Sequence, residues 1–166
     1  MRIKLPILLL LISHLSFGQS DFEQTVEKYK KDLKEKGTHP IEMEFGIDTF
    51  TIEKNVVIAL GKDNSDLGMT RVCYDAAKQY DLLLNKYYRK LLAVLKGEDK
   101  KLLISAQKSW LAFRDSEISL VEVISKEEYS GGGTAQNLTE GSYYLELIKS
   151  RTVALFDHYV RATQSY

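Results

Sequence analysis

Catalytic chemistry needs nucleophiles, bases or ligands at fixed spacing, and few such groups stand at useful spacing in this chain. Motifs of the GxSxG, HExxH, Walker A and DxDxDG types are absent. Three histidines are present, His14 in the apolar N-terminal stretch, His39 in a turn and His158 near the end of a helical segment, where an imidazolium suits the helix dipole. One cysteine, Cys73, excludes an internal disulfide, a thiolate zinc cage and covalent haem attachment. ExxH pairs that would supply a di-metal helical core are missing. The carboxylate pairs Asp21 and Glu23, and Glu127 and Glu128, sit on charged faces and read as solvated surface. We therefore expect no cofactor, no metal and no enzyme activity.

Polar side chains placed beside apolar helical stripes are the more informative group. Asp81, Asn85 and Tyr88 recur at four- and three-residue steps, as do Gln107, Trp110, Arg114 and Glu117. Arg151, between Leu147 and Leu155, is a third such position. An interior guanidinium without compensation is costly, so Asp81 and Asp115 are the expected partners of the two arginines. Such a network either sets helix register or forms a recognition patch, and the sequence leaves both readings open.

The elements that must position these groups are helices. Only 10 Gly and 2 Pro accompany 10 Tyr, so turns are scarce and large amphipathic side chains plentiful. From Met69 to Lys96 no Gly or Pro intervenes, and Val72, Ala76, Ala77, Tyr80, Leu84, Tyr87, Leu91 and Leu95 form one stripe. Gly97 suits a left-handed helix terminus, and Glu98 and Asp99 open the next helix, which is expected to fold back on its predecessor and run to Lys126. Its apolar positions are Leu103, Ala106, Trp110, Phe113, Leu120, Val121 and Ile124. A flexible loop is expected from Glu127 to Gly141, carrying Gly131, Gly132 and Gly133, before a third long helix from Ser142 to Ala162. The expected fold is all-α, an antiparallel bundle of three long helices over residues 69–163. A short helical accessory region over residues 19–68 precedes it. Within that region Phe22, Val26, Tyr29 and Leu33 mark an amphipathic helix from Asp21 to Lys36. Residues 41–68 are ambiguous: Ile41, Met43, Phe45 and Ile47 alternate as in a strand, whereas Phe50, Ile52, Val56, Val57 and Leu60 space as in a helix, the reading we favour.

Residues 1–18 read as a secretory signal peptide: Arg2 and Lys4, an apolar run around Ile7 to Ile12, then Ser16 and Gly18 before a cut at Gln19. The stretch falls short of the roughly 20 residues of a membrane-spanning helix. Cleavage would leave a periplasmic or secreted product, with no stable membrane insertion. The full chain balances 23 basic against 23 acidic residues, and loss of Arg2 and Lys4 leaves −2. A near-neutral surface without a basic stripe makes nucleic acid an unsuitable partner.

The run CYDAAKQYDLLLNKYYRKLL, then LLISAQKSWLAFRD, the glycine triplet and LELIKSRTVAL together resemble the LprI-like lysozyme-inhibitor family of exported bacterial proteins, over about residues 70–156. Asp81, Asn85, Tyr88, Gln107, Trp110, Arg114, Asp115 and Arg151 carry the resemblance. Relatives commonly have further cysteines, after the Arg-Asp pair and before the final Arg. Here Ile118 stands near the first position and no cysteine near the second. The resemblance implies an envelope protein that binds a protein partner, with lysozyme the named candidate, its contacts on the motif residues or on the glycine loop. The alternative is a structural or scaffolding helical module of the envelope.

Overall fold

A computed structural model describes residues 7–164, and among them every regular element is helical. The order is α1 (Ile7–Glu35), α2 (Pro40–Lys62), α3 (Asp66–Val94), α4 (Gly97–Ile124), the single turn α5 (Glu127–Ser130) and α6 (Thr134–Thr163). Residues 1–6 of the expected leader lie outside the described residues, and α1 begins immediately after them. The expected accessory region is helical: α1 has 29 residues, the first 12 of them within the expected leader, and its end at Glu35 is close to the expected Lys36, while α2 has 23.

The chain forms two compact units, residues 1–51 and 52–166, with the division inside α2. In the first unit, Phe22, Val26, Tyr29 and Leu33 are half-buried, as their spacing predicts. The ring of Tyr29 stacks on Phe50 with centroids 4.1 Å apart, and Leu33 approaches Gly46, so α1 and the start of α2 run antiparallel. Gly37, at φ +68°, turns the chain between them, a conformation that glycine adopts without the Cβ penalty. His39 accepts from the Ile41 amide through Nδ1 and Pro40 takes the first helical position, which needs no amide hydrogen.

The region readable as strand or helix is α2. From Met43 to Val56 no residue is exposed. A helix whose half-buried residues are spread around its axis has no single polar face, so its sequence loses the one-sided period that identifies most helices.

The second unit is built on α3 and α6. Ala76, Ala77, Tyr80, Leu84, Tyr87 and Leu91 of the expected α3 stripe are all buried, facing Ile148 and Leu155 of α6. Contacts pair Tyr74 with Tyr144, Tyr80 with Thr152, and Tyr87 with Phe156 and Tyr159, so the two helices run parallel. Small residues allow their close approach. A Cβ on Gly141 would lie 3.3 Å from both Cys73 Cβ and a ring carbon of Tyr74. Thr152, fully buried, directs its hydroxyl to the carbonyls of Ile148 and Tyr80 at 2.8 and 3.2 Å.

The expected packing of α4 needs correction. It runs antiparallel to α6, Gln107 meeting Arg151 and Glu117 meeting Tyr143, but α3 takes α6, not α4, as its principal partner. Only Leu103 and Gln107 are buried along its length. Ala106, Phe113, Leu120 and Ile124, expected in the core, are exposed. The flexible loop expected from Glu127 to Gly141 is also corrected, because α5 and the first turns of α6 occupy most of it. What remains is Gly131, Gly132 and Gly133, all at positive φ (79°, 61° and 90°).

Candidate functional site

The motif residues separate into two groups. Along α3, Asn85 donates its amide to the carbonyl of Asp81 at 2.8 Å and to the Asp81 carboxylate at 3.1 Å. Tyr88, half-buried, lies on the next turn. Neither Asp81 nor Asn85 bonds to Arg114 or Arg151, so the expected pairing of Asp81 with an arginine does not form. The carboxylate is instead satisfied within its own helix, by the neighbour four residues on.

Gln107, Trp110, Arg114, Asp115 and Arg151 do come together, where α4 meets α6. Nε of Arg151 donates to Oε1 of Gln107 at 3.0 Å. Trp110 is flanked by two guanidinium groups, Arg114 at 5.5 Å and Arg151 at 5.8 Å from its ring centroid, within the range of cation–π attraction. Arg114 binds the adjacent Asp115 through Nε and Nη2, at 2.8 and 2.6 Å to one carboxylate oxygen. That half of the expected pairing is present, although Asp115 itself is largely exposed.

Arg151 has no carboxylate within ion-pair distance among the described residues. Burial pulls its pKa below the usual guanidinium value, the direction expected for a desolvated cation. Compensation comes from a neutral amide oxygen and the face of an indole. Glu117, the fourth position of the α4 series, accepts from the Tyr143 hydroxyl at 2.8 Å and thereby adds a second tie to α6. The Arg151–Gln107 bond is part-buried between α4 and α6, whereas the Arg114–Asp115 and Tyr143–Glu117 bonds lie at the exposed edge of that contact. No group of three or more His, Cys, Asp or Glu side chains that could hold a metal occurs among the described residues.

Beside this cluster, α4 presents an outward apolar face. Leu102, Phe113, Leu120 and Ile124 are each at least half exposed and fall on one side of the helix at steps of eleven, seven and four. Exposed apolar side chains that share one helix face are the kind of surface that protein association can cover. The chain matches the family described as lysozyme inhibitor LprI over residues 59–155, more than half of its length. It belongs to the LprI family. No curated protein and no solved structure matches it. The LprI match takes in α3, α4, α5 and most of α6, together with all eight motif residues and the glycine triplet.

A second polar cluster escaped the sequence reading. Glu53 accepts hydrogen bonds from the Tyr80 hydroxyl and the Lys149 ammonium, both at 2.6 Å, tying the end of α2 to α3 and α6. Burial raises the Glu53 pKa, but the bonds from Lys149 and Tyr80 outweigh it and the net direction is down. Burial and the Glu53 carboxylate push the Tyr80 phenol up. Nothing in spacing joins positions 53, 80 and 149; only the polar end of a buried tyrosine hinted that an acceptor was needed. Gly141 and Thr152 were missed for the same reason, since close helix approach is a property of two segments at once.

Proposed function

We propose that this LprI-family protein is an exported inhibitor that binds a protein partner, lysozyme being the candidate, and catalyses no reaction. The outward apolar face of α4 is the observation that carries this reading. A helix needed only for the core would bury those leucines and the phenylalanine, since exposing them forfeits burial free energy. In this reading α3, α4 and α6 act as an up-down-up three-helix bundle over residues 69–163, and residues 19–68 are accessory. The cluster of Gln107, Trp110, Arg114, Asp115 and Arg151 sets the register that holds the α4 face in place, and the glycine triplet lets α6 return. The leader is removed before Gln19 and the product is periplasmic or secreted. No helix among the described residues is long and apolar enough to cross a membrane.

The test is digestion of cell walls by an animal-type lysozyme with increasing amounts of the purified protein. Concentration-dependent slowing supports the reading, and unaltered digestion by animal and phage enzymes alike refutes it. Intact-mass measurement of the exported product checks the leader, with retention of Met1 as the contrary result. The part-buried bond between Arg151 and Gln107, which ties α6 to α4, favours a second reading, a structural module of the envelope. That reading predicts capture of envelope components and no effect on digestion.

A further inference from the structure

One end of the second unit holds a cavity of about 200 Å³ where α3, α4 and α6 meet. It is lined by the tyrosines Tyr74, Tyr143 and Tyr144, by Ile118 and Val121, and by Glu122 and Glu140. Tyr74 and Tyr144 incline at 39° with centroids 5.9 Å apart, and Tyr74 lies over Gly141, where any side chain would displace it. Tyr74 and Tyr143 are 38% and 40% exposed, so the cavity opens to solvent. The Tyr143 hydroxyl is committed to Glu117, which adds a third carboxylate nearby. Among the described residues no cation lies within ion-pair distance of Glu122 or Glu140.

We propose that this tyrosine-lined cavity is a receptor for an arginine side chain presented by a protein partner. Aromatic faces carry negative potential and attract a cation placed over them, and the attraction grows where water is partly excluded. A planar guanidinium satisfies both parts of the site at once: it stacks on a phenol ring while its N–H groups reach a carboxylate. A compact ammonium can do only one of these well. The cavity takes up the guanidinium and the adjoining methylenes, whose apolar surface matches Ile118 and Val121. The same negative field acts on the site's own phenols: burial raises the Tyr74 pKa, and Glu140 and Glu122 raise it further. That the arginine arrives on a protein rests on the inhibitor reading, whereas guanidinium recognition by the cavity does not.

The experiment titrates the purified protein with an otherwise uncharged capped hexapeptide carrying one arginine, and with the same peptide carrying citrulline, which keeps the shape and removes the charge. Tyrosine ring resonances report binding. The arginine peptide is expected to shift Tyr74, Tyr143 and Tyr144, about tenfold or more tightly than the citrulline peptide, and to weaken as salt screens the carboxylates. Glu122→Gln with Glu140→Gln is expected to remove most of that preference with the helical circular dichroism unchanged. Tyr143→Leu, at a partly exposed ring, serves as the second variant. Equal binding of the two peptides, shifts confined to other residues, or an unaltered preference in both variants overturns the proposal. Failure to slow lysozyme with arginine binding intact refutes the inhibitor reading and leaves the cavity's chemistry standing. Inhibition that survives in the double variant overturns the cavity as the point of contact.

Discussion

Arg151 donates from Nε to the side-chain oxygen of Gln107 at 3.0 Å, so the cation of α6 is held by a neutral residue of α4. The indole of Trp110 shares that task from 5.8 Å. A charge with such modest compensation is sensitive to loss of the one hydrogen-bond acceptor it has among the described residues.

Gln107→Leu removes that acceptor while roughly preserving volume. It is expected to lower unfolding free energy by about 1–3 kcal/mol, the usual penalty for a polar group left unsatisfied in the interior. Lys101→Ala, which breaks only an exposed contact with Glu98, should change it by less than about 1 kcal/mol. Urea denaturation followed by circular dichroism compares them. Equal effects would place Arg151 in full contact with water.

Gly141→Val forces two branches into the contact between α3 and α6, where a single added Cβ already meets Cys73 and Tyr74 at 3.3 Å. Overpacking of this kind costs about 1–3 kcal/mol. Gly61→Ala, where nothing lies within 4 Å, should not lower stability. Thermal melting of both variants checks the contrast.

Stability should fall on acidification through the titration of Glu53. Its folded pKa is depressed, so its carboxylate stabilises the fold above the unfolded value, near 4.5, and that contribution is lost as pH drops through the lower folded value. Glu53→Gln should flatten the slope of unfolding free energy against pH below about 4.5. A slope equal to that of the unaltered protein would assign the acid sensitivity to other carboxylates.

Phe113→Ser together with Leu120→Ser should leave the fold nearly untouched, within about 0.5 kcal/mol for each exposed site. The pair is expected to weaken inhibition of lysozyme by about tenfold or more if these side chains anchor the partner. Full inhibition by a cooperatively folded double variant would move the contact away from this outward face of α4.

Shortening the glycine triplet tests the loop separately. Gly131 is left-handed, where an alanine would cost about 1–2 kcal/mol, and Gly133, at φ 90° and ψ 177°, lies in a region open essentially to glycine alone, where an alanine would cost about 1–3 kcal/mol. If inhibition persists when α5 and α6 are joined by a different flexible linker, the triplet serves the turn alone.

The helical class, a long helix read as Met69 to Lys96 and found as Asp66 to Val94, the left-handed Gly97 and the acidic opening of α4 are legible in the amino-acid order, although the Ser65 cap that starts α3 three residues earlier was not. Each depends on residues within a turn or two of one another, and periodicity and terminal chemistry act at that range. The family was legible too, because its motif is a matter of order and spacing. Tertiary structure alone decided which stripe is core. Leu84 and Phe113 satisfy the same periodic rule, yet one is buried and the other 52% exposed, because α6 lies against α3 and leaves the outer side of α4 uncovered. It also decided that Arg151 takes Gln107, that Asp81 takes Asn85, and that Glu53 meets Tyr80 and Lys149. Helix periodicity specifies which residues share a face; which face finds a neighbour depends on the close approach that Gly141, Ala77 and Thr152 permit between segments far apart in the chain.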